Sequence, residues 1–219
     1  MTNRVSAVPT EDYDLNVFIN CPFDSDYHSL LRPLLFTIVR LGYRPRIASE
    51  RSDSGEARVD KICELIQESK YSIHDLSRLK AKRVDEFYRL NMPFELGIEH
   101  GARTFGPAFM NDKRCLVLEQ GLHDFQRALS DIAGVDIKRH GNRPEEVIRA
   151  VRDWFVETVG LRGVDTATVI WYRFNDFTAA FYEKMAGAGS PQKDIDQMPI
   201  PEYNDHIRKW QAQQRDRGE

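Results

Sequence analysis

The chain lacks most of the signatures by which a sequence declares its chemistry. Neither a G-x-G-x-x-G fingerprint nor a P-loop follows its first apolar run, which argues against an ordinary dehydrogenase or an NTPase. No G-x-S-x-G elbow is present, which argues against a serine hydrolase. The histidines His28, His74, His100, His123, His140 and His206 are scattered without ligand spacing, so no metal centre is expected. Cysteines are few: Cys21, Cys63 and Cys115 are too far apart for a ligand pair, odd in number, and each sits in an apolar run that reads as core. A reducing, cytoplasmic setting follows. No apolar run is long enough to cross a bilayer, and Met1 to Asp14 is polar and acidic, unlike a signal peptide, so no membrane partner is expected. Excess charge of one sign is missing too. With 31 basic and 34 acidic residues the net charge is −3, which leaves no broad field to attract nucleic acid, although Lys80-Ala81-Lys82-Arg83 could meet phosphates locally.

What is present is enough material for a full core, since 219 residues with 41% hydrophobic content suit one domain with an appendage. Leu15 to Asn20 reads as the first strand, closed by the turn Cys21-Pro22-Phe23-Asp24. Tyr27 to Leu41 carries apolar residues at helical spacing, with Pro33 marking a kink or a late start. A strand at Tyr43 to Ser49, weakened by Pro45, precedes a helix from Ala57 to Ser69 whose buried side is read as Val59, Ile62, Cys63, Leu65 and Ile66. The third strand is Tyr71 to Asp75, followed by a basic loop through Arg89 and a helix opening at Pro93. Further elements are a strand at Arg114 to Leu118, a helix at His123 to Ile132, a short edge strand at Val135 to Ile137 and a helix from Pro144 to Val159. Strands alternating with helices predict an α/β fold: a flavodoxin-like, three-layer domain with a mostly parallel central sheet, plus a C-terminal helical extension.

The domain is expected to span residues 15–160, after an N-terminal arm of residues 1–14. Residues 161–219 form the extension. There, Thr166 to Met185 reads as a helix dense in aromatics, which either packs back on the core or makes a subunit interface. From Gly187 onward the tail is rich in charge, Gln, Gly and Pro and is expected to be mobile or only loosely docked.

Polar residues gather just past the expected strand ends: Asn20, Asp24, Arg46, Glu50, Asp53, Asp75, Ser77, Arg78 and Asn91. In a doubly wound sheet these share the rim where ligands bind, and together they offer carboxylates, amides and guanidinium groups suited to a nucleotide. Glu95 joins them from Asn91-Met92-Pro93-Phe94-Glu95-Leu96-Gly97, with Pro93 at the first helical position and Glu95 in the first turn. Such a carboxylate is either a cap returning to a free backbone N–H or a group for chemistry.

Val17-Phe18-Ile19-Asn20, Tyr71-Ser72-Ile73-His74-Asp75-Leu76-Ser77 and Met92-Pro93-Phe94-Glu95-Leu96-Gly97 together resemble the bacterial Toll/interleukin-receptor (TIR)-like domains. In that group, and in the related nucleoside deoxyribosyltransferases, a strand ending in Asp is followed by a helix bearing N-x-x-x-E-L-G or a similar signature. The resemblance spans roughly residues 15–155. It implies cleavage of an N-glycosidic bond, with NAD as substrate rather than cofactor and nicotinamide as leaving group, in bacterial stress or antiphage defence. The matching catalytic carboxylate is Glu95, and Asp75 takes a supporting role. Arg46, Arg78 and Arg58 would meet the pyrophosphate, while Asn20, Phe23 and Asp24 would line the first loop, Phe23 stacking on a planar ring. Asp53, Ser77 and Asn91 complete the substrate-binding rim. Assembly as a homo-oligomer or with an activating partner is also implied. The chain departs from the eukaryotic pattern in having Pro93-Phe94 where a tryptophan motif often stands, and in the long basic segment between Leu76 and Asn91. Base exchange on deoxynucleosides, and nucleotide sensing without turnover, are the alternatives.

Overall fold

Alternation along the strands sets the layers. In the computed structural model, which describes residues 8–78, 90–121, 129–132 and 134–216, strand β1 (Asn16–Asn20) sends Val17 and Ile19 to one face and Phe18 to the other. Strand β3 (Tyr71–Asp75) likewise divides Tyr71 and Ile73 from Ser72 and His74, and β4 (Arg114–Glu119) divides Leu116 and Leu118 from Val117. With β2 (Arg44–Ile47) and β5 (Ile137–Arg139) these strands form one five-stranded sheet of order β2-β1-β3-β4-β5. Every pairing is parallel, with Ile19 opposite Ile47 and Ile73, and Ile73 opposite Leu116. The expected α/β, flavodoxin-like arrangement is therefore present. Pro45 is accommodated because β2 lies at the edge of the sheet.

Helices α1 (His28–Arg40) and α4 (Pro144–Trp154) cover the face of Val17 and Ile19. Helices α2 (Arg58–Gln67) and α3 (Asn91–Phe105) cover the face of Phe18 and Val117. Pro33 lies within α1, where its carbonyl accepts the Thr37 hydroxyl at 2.7 Å. The end of α2 is held by buried groups: Asn16 Nδ2 donates to Glu68 O at 2.9 Å, and the fully buried Lys113 ammonium donates to Ile66 O at 2.7 Å and to Ser69 O. These donors satisfy carbonyls that a helix end leaves without intrahelical partners.

The C-terminal helices α5 (Ala167–Gly187), α6 (Gln192–Asp196) and α7 (Ile200–Asp216) form a further layer over α1 and α4. The Phe36 ring on α1 is met by Phe174 and Phe177 at 5.5 Å and by Trp210 at 6.1 Å between centroids. Arg32 lies 4.9 Å from the Tyr203 ring centre and donates to Tyr182 Oη and Ile195 O, both at 2.7 Å. Most of the aromatic surplus thus packs into the core. The tail expected to be mobile or only loosely docked is instead a firmly docked helix over Ile200–Asp216, because Tyr203, Ile207 and Trp210 recur at helical spacing and pack on that layer. None of the described helices is long and apolar enough to cross a membrane.

Other boundaries shift for identifiable reasons. Helix α3 starts at Asn91, two residues before Pro93; a proline is tolerated there because the first N–H groups of a helix have no intrahelical acceptor. On α2 the buried face is Lys61, Ile62, Leu65 and Ile66, while Val59 and Cys63 are exposed, so Cys63 is not a core residue. Lys61 keeps its buried place by donating to Arg51 O at 3.0 Å. The edge strand begins at Ile137 rather than Val135. The expected helix His123 to Ile132 falls largely outside the described residues; its end, Ser130–Ile132, is a 3-10 turn. The cluster Lys80 to Arg83 also lies outside them.

Candidate active site at the β1–β3 crossover

In this strand order the chain reverses its direction of travel between β1 and β3, and the crevice outside their carboxyl ends is where ligands bind in doubly wound sheets. Asn20 closes β1 and ties the rim together. Its amide donates to His74 Nδ1 and to Met92 O, both at 2.9 Å, joining β1, β3 and the first turn of α3. Since Nδ1 accepts, the neutral His74 ring carries its proton on Nε2. Burial, with the Lys113 charge adding to it, pushes the His74 pKa down to about 3, so the ring stays neutral.

Asp75 closes β3 and is a hub. Tyr27 Oη donates to its Oδ2 at 2.5 Å, Ser77 N–H donates to Oδ1 at 2.9 Å, and the Ser77 hydroxyl also donates to Oδ1. His140, just beyond β5, places Nε2 at 3.2 Å from Oδ2 and 2.8 Å from Ser77 Oγ. The other ring nitrogen accepts Asn142 N–H at 3.0 Å, where Asn142 adopts φ +60°, so the neutral ring is protonated at Nε2 and donates toward this hub. Burial pushes the Asp75 carboxyl up, but His140, Ser77 and Tyr27 outweigh it and hold the group below the usual carboxylate range. Burial and then Asp75 push the Tyr27 hydroxyl well above its ordinary value, so it remains a donor. This trio is not a nucleophilic triad. Ser77 gives its proton to Asp75, and Ser77 and Asp75 meet the same imidazole nitrogen, which leaves no base to activate the serine.

Glu95 stands in a different environment. It begins the second turn of α3, is 3% exposed, and belongs to a helix whose N-terminus has no side-chain cap hydrogen bond. The capping reading therefore does not describe it. Burial pushes its carboxyl up to about 7, against the opposing Arg58 charge and a hydrogen bond from Asn91. Arg58, the first residue of α2, brings Nη2 to 3.9 Å from Glu95 Oε1, and its guanidinium carbon lies 5.2 Å from the Phe23 ring centre. On the first loop, Asp24 Oδ1 accepts Tyr27 N–H at 3.1 Å and faces Arg78 Nη2 at 3.4 Å. Buried Cys21 lies among these carboxylates: burial first, then Asp75, Glu95 and Asp24, push its thiol up, so it is no thiolate nucleophile.

The expected residues thus fall into three contact groups around the crossover: Asn20 with His74 and Met92, the Asp75 hub with Ser77, Tyr27, Asp24 and Arg78, and Glu95 with Asn91, Arg58 and Phe23. Two expected residues are engaged elsewhere. Arg46 is paired with Glu50 at 2.9 Å and Glu68 at 3.0 Å, so its guanidinium is already matched on the outer edge of the sheet. Asp53 is exposed and accepts Gly55 N–H at 2.8 Å, closing its own turn. Tyr27 and His140 are additional members of the rim network. Both lie at element ends on this rim, and that topological position is the signal by which they could be found in the sequence.

The fold and rim define a doubly wound α/β domain with a polar crossover site carrying one buried, weakly countered carboxylate. No family model, curated protein or solved structure matches the chain.

Proposed function

We propose that the chain is an NAD-cleaving N-glycosidase with Glu95 as its catalytic group. The observation that carries this reading is the position of Glu95 at the crossover crevice, enclosed enough to shift its carboxyl to about 7 yet without a close ion pair. When the ribosyl C1′–N bond breaks, its electron pair leaves with nicotinamide and positive charge develops at C1′. An ionised carboxylate under that carbon stabilises the charge or captures it as an ester; water then bonds to C1′, the C1′–O bond to the carboxylate breaking where the ester has formed, and the water's proton passes to the freed carboxylate or solvent.

The proton inventory favours this leaving group. Asp75 is saturated by donors and held ionised, so it supplies no acid. A pyridinium departs as neutral nicotinamide and needs no proton, whereas an ordinary purine or pyrimidine leaves more readily when protonated. Arg58, with 53% of its side chain exposed, is free to turn toward a pyrophosphate, and Arg78 flanks the same crevice. Leu90 and Phe94, 65% and 61% exposed at the start of the helix that carries Glu95, suit an assembly of copies beside the site. The resemblance to TIR-like domains supports the same chemistry and is the ground for a setting in bacterial stress or antiphage defence. The test is nicotinamide release from NAD over a range of protein concentrations, with Glu95→Gln as control. Turnover that rises more than proportionally with protein and vanishes in the variant is expected; base exchange on deoxynucleosides with NAD intact would replace the reading.

A further inference from the structure

A cavity of about 380 Å³ lies along α3, one turn beyond Glu95 and separate from the crossover residues. Its walls are apolar, from Leu96, Val117, Leu129 and Val135, and Arg103 and Asp131 are among its polar lining residues. Its largest polar anomaly is Glu99, 1% exposed. Lys113 Nζ lies 3.4 Å from its Oε1, and Ser72 and Arg103 also act on it, yet neither carboxylate oxygen has a hydrogen bond of good geometry. A buried carboxylate left short of donors is costly, and such groups in native proteins call for a partner.

Gly97 supplies the second observation. It lines the cavity from the middle of a helix, and a Cβ built there would meet nothing within 4 Å. Glycine in a helix interior is destabilising relative to alanine, and here no close contact at the Cβ position requires it. What the missing side chain provides is open volume.

We propose that this cavity is a binding site for a small, neutral, flat heteroaromatic molecule with a single N–H donor, received by Glu99. A dry cavity of about 150 Å³ suffices for benzene, so this one holds a bicyclic ring with its apolar faces against Leu96 and Val117. Lys113 already stands 3.4 Å from Glu99 as its cationic neighbour, so the ligand supplies a hydrogen bond rather than a cation. The site is independent of the N-glycosidase reading, since it uses none of the crossover residues.

The probe is indole, compared with 1-methylindole, which keeps the ring and loses the donor. Amide chemical shifts of Gly97, Glu99, Cys115 and Val117 are followed in the full chain. Indole is expected to perturb these amides saturably, 1-methylindole to bind roughly tenfold more weakly, and Gly97→Leu to remove indole binding while leaving the melting temperature unchanged or higher. No saturable effect of indole up to its solubility would overturn the proposal, as would equal binding of the two indoles. Indole binding that persists in folded Gly97→Leu would overturn it as well; if that variant does not fold, the comparison of the two indoles decides alone.

Discussion

Arg58 reaches from the first residue of α2 to within 3.9 Å of Glu95 on α3, a distance that lowers the carboxyl's pKa without closing a tight ion pair. The pair therefore leaves Glu95 titrating at about 7, burial outweighing the guanidinium. If the ionised form does the chemistry, kcat/KM rises with pH through a single limb near 7. Removing the cation in Arg58→Ala is expected to move that limb to higher pH and to raise KM. A limb that stays in place in the variant would show that Glu95 does not govern the profile.

Glu95 also links function to stability. Its folded pKa lies above its ordinary value, so its contribution is fully present below the usual carboxylate range and is lost as pH rises through about 7. Glu95→Gln keeps the shape without the buried charge. At pH 8 the variant is expected to be more stable than wild type by on the order of 2 kcal/mol, with the gap vanishing in acid. Urea melts at pH 8 and pH 4 check this, and a destabilised variant at pH 8 would contradict it.

The Asp75 hub has the opposite sign. Its depressed pKa means that its contribution is present above the ordinary carboxylate range and is lost as pH falls through its folded value. Tyr27→Phe removes one donor and is expected to cost about 1–2 kcal/mol. Asp75→Asn, which leaves Tyr27 and His140 facing an uncharged amide, is expected to cost about 3 kcal/mol at pH 7 and less at pH 3. Denaturant unfolding at the two pH values measures both.

The C-terminal layer is expected to be part of the folding unit. Phe177 is 1% exposed and touches Phe36, Phe181, Tyr203 and Trp210, so Phe177→Ala is expected to cost about 3–5 kcal/mol. Tyr172, 63% exposed on the same helix, is expected to tolerate alanine within about 0.5 kcal/mol. Equal effects of the two substitutions would mean that α5 is not docked as described.

Much of the frame was legible because period-2 and period-3.6 patterns report burial directly. Tyr71 to Asp75 is a strand with the bounds its composition suggests, and the alternation of strands with helices gives the parallel sheet. Helix α7 was illegible as structure because its inner face is completed by Asn204, Gln211 and Gln214 beside only a few apolar residues, so it reads as a polar tail. Partnering was the other blind spot. Nothing in the sequence shows that Arg46 is matched by Glu50 and Glu68 while Arg58 keeps half its side chain in solvent. The rim position of Glu95 followed from the order of elements, but its freedom from a capping role depends on α3 starting at Asn91, which Pro93 disguises.

The most direct measurement is nucleotide turnover by mass-resolved chromatography, with wild type and Glu95→Gln at high concentration against NAD, NADP and a panel of deoxynucleosides. Nicotinamide released by wild type alone, with deoxynucleosides untouched, is the result expected if Glu95 is the catalytic carboxylate of the crossover site. Equal turnover by the two proteins, or no consumption of NAD at any protein concentration, would contradict it.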